Sequence, residues 1–258
     1  MNIELYINEE EIVAGMTLRD DEEPESGNMA LHTCSSANDV IKNRIKFASF
    51  LGCDLGSLTC SDQTHSDNFV EVSYTDRGRG ALEQNSSFPD TDAIFTFEPN
   101  ILLGCFTADC VPVIFFNKAC GLIGVIHSGW RGTVNEISLK VFKHLIFEKT
   151  CNPVDFQVFI GKALSQEKFE VDGDVYKQFI ALGYAEPYIV YNCITDKYHI
   201  DNKLTVKKQC ELAGIPPEQI YVDPACTFKN PQCFSYREDQ TRGRHMSFIM
   251  RKSRQRIK

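Results

Sequence analysis

The stretch GLIGVIHSGWRGTVNEI, residues 121–137, decides the fold class of this chain. Its first part is an apolar run that ends at His127, and a short apolar run bounded by turn residues is typical of a buried strand. A Gly-Trp-Arg-Gly turn follows, and beyond it apolar residues recur at helical spacing over residues 133–149. The stretch therefore predicts a strand with an imidazole at its tip, followed by a helix.

Segments of both kinds flank this stretch. The patterns predict strands over residues 93–97, 101–106, 111–116, 155–160, 220–222, 233–236 and 246–250, and helices beginning near Asn38, Asp174 and Lys203. Residues 75–92 form a long polar loop in this interpretation. Strands and helices intermix without a regular alternation, so the fold class is predicted to be mixed α/β. We expect one domain over residues 1–258, with residues 1–37 as a partly irregular N-terminal segment.

Composition excludes several classes of protein. The chain has 258 residues, 43% of them hydrophobic, and a net charge of −8 without a concentrated basic stripe, which argues against nucleic-acid binding. The basic residues from Arg251 to Lys258 are interpreted as a solvated tail. No apolar segment reaches the length of about 20 residues that a membrane helix needs. The eleven scattered cysteines and the absence of a signal pattern predict reduced thiols and a cytoplasmic location. No pattern indicates an oligomeric state.

Three side chains form a candidate metal site: His65, Cys110 and His127, which lie 45 and then 17 residues apart. Two imidazoles and one thiolate are a competent ligand set for zinc or copper, and three protein ligands leave one position for water or substrate. A metal-free alternative uses Cys110 as a nucleophile that His127 activates, with Asp109 or another acid orienting the imidazole. The residues alone leave both alternatives open.

A candidate anion site follows His127. The Ser128 hydroxyl, the Arg131 guanidinium and the first amides of the next helix can together hold a phosphate or a carboxylate. In the alternative interpretation Arg131 pairs with a nearby acid and Trp130 simply packs.

Missing motifs narrow the choice further. The chain has no H-x-E…P-C-x-x-C deaminase signature, no phosphate-binding P-loop and no G-x-G-x-x-G dinucleotide motif. Its six histidines include no closely spaced pair, which argues against a multi-centre blue copper oxidase. A single copper held by two His and one Cys stays chemically feasible.

Several motifs occur in an order that resembles one known family. They are QTHSDN, TADCVPV, HSGWRG, FEVDGDVYKQF, YHIDN and SYRED, and they extend over roughly Asn38 to Phe248. The order is similar to that of the bacterial laccase-domain proteins, also called multicopper polyphenol oxidoreductases and later described as purine nucleoside phosphorylases. The resemblance implies a layered α/β/β/α sandwich with mixed sheets, similar to the catalytic domain of the cytotoxic necrotizing factors.

The resemblance also implies a function. It assigns one Zn²⁺, with Cu²⁺ as the alternative ion, to His65, Cys110 and His127. It implies phosphorolysis of adenosine, inosine, guanosine and methylthioadenosine, together with adenosine deamination. We expect phosphate near Arg131, Ser128 and Arg44, with Asp109 as a candidate proton shuttle in deamination. Alternatives are a Cys-His amidohydrolase that edits peptidoglycan precursors, a zinc-binding module without turnover, and a copper-dependent polyphenol oxidoreductase.

Four positions depart from the family pattern. Ser128 replaces a usual Ala, Ser66 replaces a usual Gly, Lys162 stands where Gly-Pro is typical, and Glu238 replaces an Arg. All four lie outside the ligand trio. They therefore bear on substrate preference more than on metal binding.

Overall fold

The computed structural model describes residues 1–240 and 243–253. The strands are β1 (Ile3–Asn8), β2 (Ile12–Thr17), β3 (Leu58–Cys60), β4 (Phe69–Glu71), β5 (Ala93–Thr96), β6 (Leu102–Thr107), β7 (Val111–Asn117), β8 (Leu122–Ser128), β9 (Phe156–Ile160), β10 (Glu170–Val171), β11 (Ile189–Asn192), β12 (Lys197–Ile200), β13 (Ile220–Val222) and β14 (His245–Arg251). The helices are α1 (Ala37–Phe50), α2 (Trp130–Val134), α3 (Ile137–Phe147), α4 (Gly173–Ile180) and α5 (Asn202–Leu212). None of these described helices is long and apolar enough to cross a membrane.

The strands form three sheets. One has the order β1-β2-β14-β6-β3, with β3 parallel to β6 and the other neighbours antiparallel. The second has the order β13-β9-β7-β8-β5-β4, with parallel pairs at both edges. A small antiparallel sheet has the order β10-β12-β11. The mixed α/β prediction is therefore confirmed.

The two large sheets pack face to face. Along β7, Val113 and Phe115 point to the helical layer of α3 and α5, whereas Ile114 and Phe116 point to the other sheet. Successive side chains of a strand face opposite sides, so a strand covered on both sides is apolar throughout. This explains why the central strands were predictable as continuous apolar runs.

Helix α1 covers the outer face of the five-stranded sheet. It begins after Ser36, whose hydroxyl accepts the backbone N–H of Asp39. Its Phe47 ring packs edge-on against Phe248 of β14, with 4.7 Å between ring centroids. The order of layers is thus helix, sheet, sheet, helix, as the resemblance implied. The likeness to the necrotizing-factor domain and the extent of the single domain stay predictions.

Some local predictions were wrong. The partly irregular segment 1–37 is not among them: its β1 and β2 form a hairpin whose register shifts between Leu5 and Ile7, and residues 18–36 contain no strand. Residues 233–236 form no strand. The helix predicted over 133–149 is two helices, because Glu136 between them has a left-handed φ of 60°. Residues 254–258, most of the predicted tail, lie outside the described residues.

The strand pairing brings distant residues together. Because β7 pairs with β8 so that Val111 faces Ser128, Cys110 just before β7 arrives beside His127. The pairing of Ala93 with Ile126 likewise brings Asp92, which precedes β5, to the same place. One rim of the six-stranded sheet therefore collects these side chains.

Candidate metal centre

His65, Cys110 and His127 converge at this rim. Their ligand atoms all lie within 4.8 Å of one another, and the Cys110 Sγ is 3.7 Å from the His65 Nε2. A tetrahedral zinc ion would hold a sulfur and a nitrogen ligand about 3.6 Å apart, given ordinary bond lengths. The donor set fits a zinc ion, and the Cys110–His65 pair has the spacing for one. Among the described residues, this is the cluster of His, Cys and acidic groups that can hold a metal.

A single carboxylate positions both histidines. The Asp92 Oδ1 lies 2.7 Å from the His127 Nδ1, which must carry the proton because a carboxylate only accepts. The same carboxylate accepts the backbone N–H groups of Thr64, His65 and Ser66 at 2.7–3.2 Å. These contacts hold His65 at a left-handed φ of 66°. Asp92 therefore fixes one loop and leaves the His127 Nε2 free to face a metal.

The electrostatics favour a thiolate at this position. Burial raises the pKa of the Cys110 thiol, but the positive His127 imidazole and hydrogen bonds from both imidazoles outweigh it and lower the pKa to about 6. Burial lowers the pKa of His127, yet the Cys110 thiolate and the Asp92 carboxylate raise it to about 9. A thiolate is the form of cysteine that binds metals and attacks electrophiles.

The cluster opens into a cavity of about 680 Å³, a size that suits a small-molecule ligand. Its wall combines apolar side chains with several charged ones. Besides the trio, the lining includes Trp130, Arg131, Phe169, Val175, Arg237 and Arg244. The Arg131 guanidinium lies over the Trp130 ring, 4.4 Å from its centroid. Helix α2 has only five residues, so Arg131 and not a helix terminus is the candidate anion ligand of this turn.

Two residues predicted to bind phosphate do not line the cavity. Arg44 is fully buried, and its guanidinium donates to the backbone carbonyls of Met29, Gly80 and Ala81. Ser128 is also fully buried, and its hydroxyl pairs with the Thr133 hydroxyl at 2.9 Å. Both predictions were wrong, because these groups are engaged inside the protein.

Asp109 lines the cavity, but its carboxylate is occupied. It accepts the Thr227 hydroxyl at 2.6 Å, the Ser235 hydroxyl at 3.0 Å and the Arg237 backbone N–H at 2.7 Å. Asp109 therefore fastens two distant segments to the turn that carries Cys110. The geometry does not support it as a proton shuttle, and Asp92 is the acid that orients His127.

Sequence reasoning missed Asp92 and gave no role to Asn202. Asp92 is almost fully buried, and its only sequence signal is an acid directly before a buried strand. Asn202 belongs to the YHIDN motif and lines the cavity. Its Nδ2 donates to the Ser128 carbonyl at 3.4 Å, whereas its Oδ1 is buried without a hydrogen-bond partner among the described residues.

Comparison with known proteins agrees with this geometry. The family model described as multi-copper polyphenol oxidoreductase laccase matches residues 16–252. The chain belongs to this laccase family. The prediction of a laccase-domain protein is thereby confirmed. The family's description names several copper ions, whereas the described residues contain one cluster of three His and Cys ligands.

Relatives within the laccase family carry a different activity in their names. The purine nucleoside phosphorylase YlmD of Bacillus subtilis is 36% identical over 248 residues, 94% of this chain and 89% of that protein. The purine nucleoside phosphorylase YlmD of Geobacillus stearothermophilus is 33% identical over 251 residues, 93% of this chain and 90% of that protein. These relatives support an enzymatic role.

Solved structures support the fold. The crystal structure of YlmD from Geobacillus stearothermophilus has a TM-score of 0.90 at 31% identity and covers 95% of this chain and 93% of its own. The hypothetical protein YfiH of Bacillus licheniformis has a TM-score of 0.88 at 32% identity, with 93% of each chain covered.

We expect Asp92→Asn to weaken zinc binding about 10- to 100-fold, the usual effect of losing a carboxylate behind a metal-bound histidine. The carboxylate has two oxygens that accept hydrogen bonds, whereas the amide of the variant has one. The variant therefore cannot accept from the imidazole and from all three loop N–H groups. Competition with a chromophoric chelator measures the affinity. Asp90→Asn is the matched control, since the exposed Asp90 binds Thr64 and Asn68 in the same loop but touches neither imidazole. Equal zinc affinity in D92N and D90N would contradict the role of Asp92.

Proposed function

We propose that this protein is a zinc-dependent purine nucleoside phosphorylase acting on adenosine, inosine, guanosine and methylthioadenosine. The observation that carries the proposal is the placement of the His65, Cys110 and His127 ligand atoms in one cavity with Arg131 and an aromatic wall. The donor set suits zinc, the guanidinium suits phosphate, and the aromatic side chains suit a purine. The names of the relatives point to the same chemistry.

The cavity offers a separate place for each reactant. We assign phosphate to Arg131 and Arg237, which line the cavity and present planar donors that match phosphate oxygens. The Arg237 guanidinium also donates to the Glu170 carbonyl at 3.4 Å, which holds it at the cavity wall. We assign the purine to the apolar wall of Trp130, Phe169 and Val175. The unpartnered Oδ1 of Asn202 is a candidate acceptor for a ribose hydroxyl or a base N–H.

In the proposed reaction a phosphate oxygen bonds to C1′ of the ribose as the bond from C1′ to the purine nitrogen breaks. The electron pair of that bond leaves with the purine, and ribose 1-phosphate is the other product. Arg131 and Arg237 hold and orient the phosphate, and Asp92 keeps His127 in one tautomer. A bound zinc ion would supply Lewis-acid stabilisation of developing negative charge.

Incubating the zinc-loaded protein with inosine and phosphate is expected to yield hypoxanthine and ribose 1-phosphate in equal amounts. Omitting phosphate is expected to stop the reaction, and removing the metal with a chelator is expected to reduce the rate at least about 100-fold. Loading with zinc or with copper then shows which ion supports turnover. Failure to release either product at metal saturation, across all four nucleosides, would overturn the proposal.

We propose adenosine deamination as a second reaction of the same cavity. Release of inosine and ammonia from adenosine without phosphate tests it. Because the Asp109 carboxylate already accepts three hydrogen bonds, Asp109→Asn is expected to affect deamination and phosphorolysis equally. A loss confined to deamination would restore Asp109 as the proton shuttle.

One observation favours a second candidate, a thiol amidohydrolase. Cys110, His127 and Asp92 form the nucleophile, base and orienting acid of such an enzyme. Amide hydrolysis by this arrangement would survive chelation and would stop when Cys110 is alkylated. Loss of all activity on chelation favours the phosphorylase.

A further inference from the structure

Two cysteines meet at the end of the six-stranded sheet that lies away from the cavity. Cys120 is in the turn between β7 and β8, and Cys151 follows α3. The register pairs Asn117 with Leu122 at this end of the hairpin and Val111 with Ser128 at the other. At about 3.3 Å per strand residue, the turn lies about 20 Å from the candidate metal centre.

The two sulfurs are in contact. The Sγ atoms of Cys120 and Cys151 are 3.5 Å apart, and no disulfide joins them. Cys120 is exposed to solvent, whereas Cys151 is 3% exposed. Such a pair combines a thiol that an external reagent can reach with a second thiol that only its neighbour can reach.

One buried side chain holds the two loops in this arrangement. The Asn117 Oδ1 accepts the backbone N–H groups of Ala119 and Cys120 at 3.1 and 3.4 Å. Its Nδ2 donates to the carbonyl of Asn152, next to Cys151, at 3.3 Å. The loops are therefore oriented toward each other before any bond forms between the sulfurs.

A positive charge lies beside the same turn. A Cβ on Gly121 would be 3.3 Å from the Cζ of Arg251, so this guanidinium packs directly against the turn that carries Cys120. The guanidinium also donates to the Phe97 carbonyl, which fixes its position. This one positive charge attracts an anionic reagent such as glutathione disulfide at short range.

We propose that Cys120 and Cys151 form a redox-active dithiol, in which Cys120 is the site of modification by low-molecular-weight disulfides and Cys151 is the resolving thiol. The Cys120 thiolate attacks glutathione disulfide, a Cys120–glutathione bond forms, and one glutathione thiolate leaves. Cys151 then attacks the Cys120 sulfur, its proton passes to the second departing glutathione, and the intramolecular disulfide forms. The sulfurs approach from 3.5 Å to about 2.05 Å.

The bond would tie the turn between β7 and β8 to the end of α3. A cross-link between residues so far apart along the chain restricts the unfolded state more than the folded one. Oxidation is therefore expected to raise Tm by roughly 5–10 °C. It is expected to leave zinc affinity unchanged, since neither loop contributes to the cavity.

The test treats the wild-type protein with glutathione disulfide and maps its cysteines by mass spectrometry without reduction. The wild type is expected to yield one linked Cys120–Cys151 peptide pair, no glutathione on Cys120, and the higher Tm. Cys151→Ala is expected to retain one glutathione on Cys120, and Cys120→Ser is expected to stay reduced at Cys151. Cys193→Ser, which removes another exposed thiol, is the matched control and should form the Cys120–Cys151 pair as the wild type does.

Three results would overturn the proposal. They are a stable glutathione adduct on Cys120 in the wild type, Cys120 and Cys151 both still alkylatable after treatment, and a linked pair without any change in Tm. Because Cys151 is buried, the circular dichroism of C151A is compared with the wild type first. If C151A is unfolded, the rate at which glutathione leaves Cys120 in the wild type is measured instead. Rapid release supports Cys151 as the resolving thiol, and a persistent adduct refutes that role.

Discussion

Cys110→Ser is expected to lower zinc affinity by roughly 1,000-fold and to remove nucleoside turnover. The thiolate is one of three protein ligands, and a serine hydroxyl does not ionise at neutral pH to replace it. His65 and His127 alone would hold the ion weakly. Metal content after dialysis and chelator competition measure the loss.

Cys53→Ser is the matched control for this change. Like Cys110, Cys53 is half-buried, but its sulfur donates to the Ala48 carbonyl at the end of α1. It should retain full zinc content and turnover. Wild-type zinc affinity in C110S would show that the trio is not the metal site.

Gly129→Ala is expected to reduce zinc affinity at least about tenfold and turnover about 100-fold. A Cβ at this position would lie 2.4 Å from the His65 Cδ2 and 3.2 Å from the Cys110 Sγ, so one ligand must be displaced. A 1 Å misplacement of this kind can cost about 100-fold in rate. The backbone itself tolerates alanine, because Gly129 has φ −62° and ψ 165°. The effect is therefore confined to the site.

Gly173→Ala separates this steric effect from a general loss of glycine. Gly173 is the first residue of α4, and a Cβ there meets no atom within 4 Å. Its variant should keep zinc affinity and turnover, and circular dichroism should show both variants folded. If G129A binds zinc as tightly as G173A does, the space beside Gly129 is not needed by the ligands.

The central strands and the three candidate metal ligands could be predicted because short stretches of sequence identify them. Strands β6 to β8 are covered on both faces, so each appears as an uninterrupted apolar run. His127 lies at the end of β8, Cys110 directly before β7 and His65 in the loop between β3 and β4, and all three are residue types that bind metals. The family motifs added the expectation that they meet. Their actual meeting depends on strand register, which no single segment encodes.

Two site predictions failed because they depend on contacts between distant residues or on the direction in which a side chain points. A charged residue such as Arg44 in an amphipathic helix is expected to be exposed. It is buried because carbonyls of residues 29, 80 and 81 accept from its guanidinium. Ser128 follows His127 on the same strand, so alternation points its side chain away from the cavity that His127 faces. Strand periodicity could have corrected Ser128. Nothing local could have corrected Arg44.

The cavity has two walls of different origin. The metal ligands are attached to the rim of the six-stranded sheet, whereas residues 169–172, 174 and 175 of the opposite wall come from β10, the residues beside it and the start of α4. These outer elements have a hydrophobic cluster of their own, which meets the segment after β8 through Trp130 and Val134. Substitutions at these lining positions can therefore change which molecule the cavity accepts without changing the strand pairing that gathers the metal ligands.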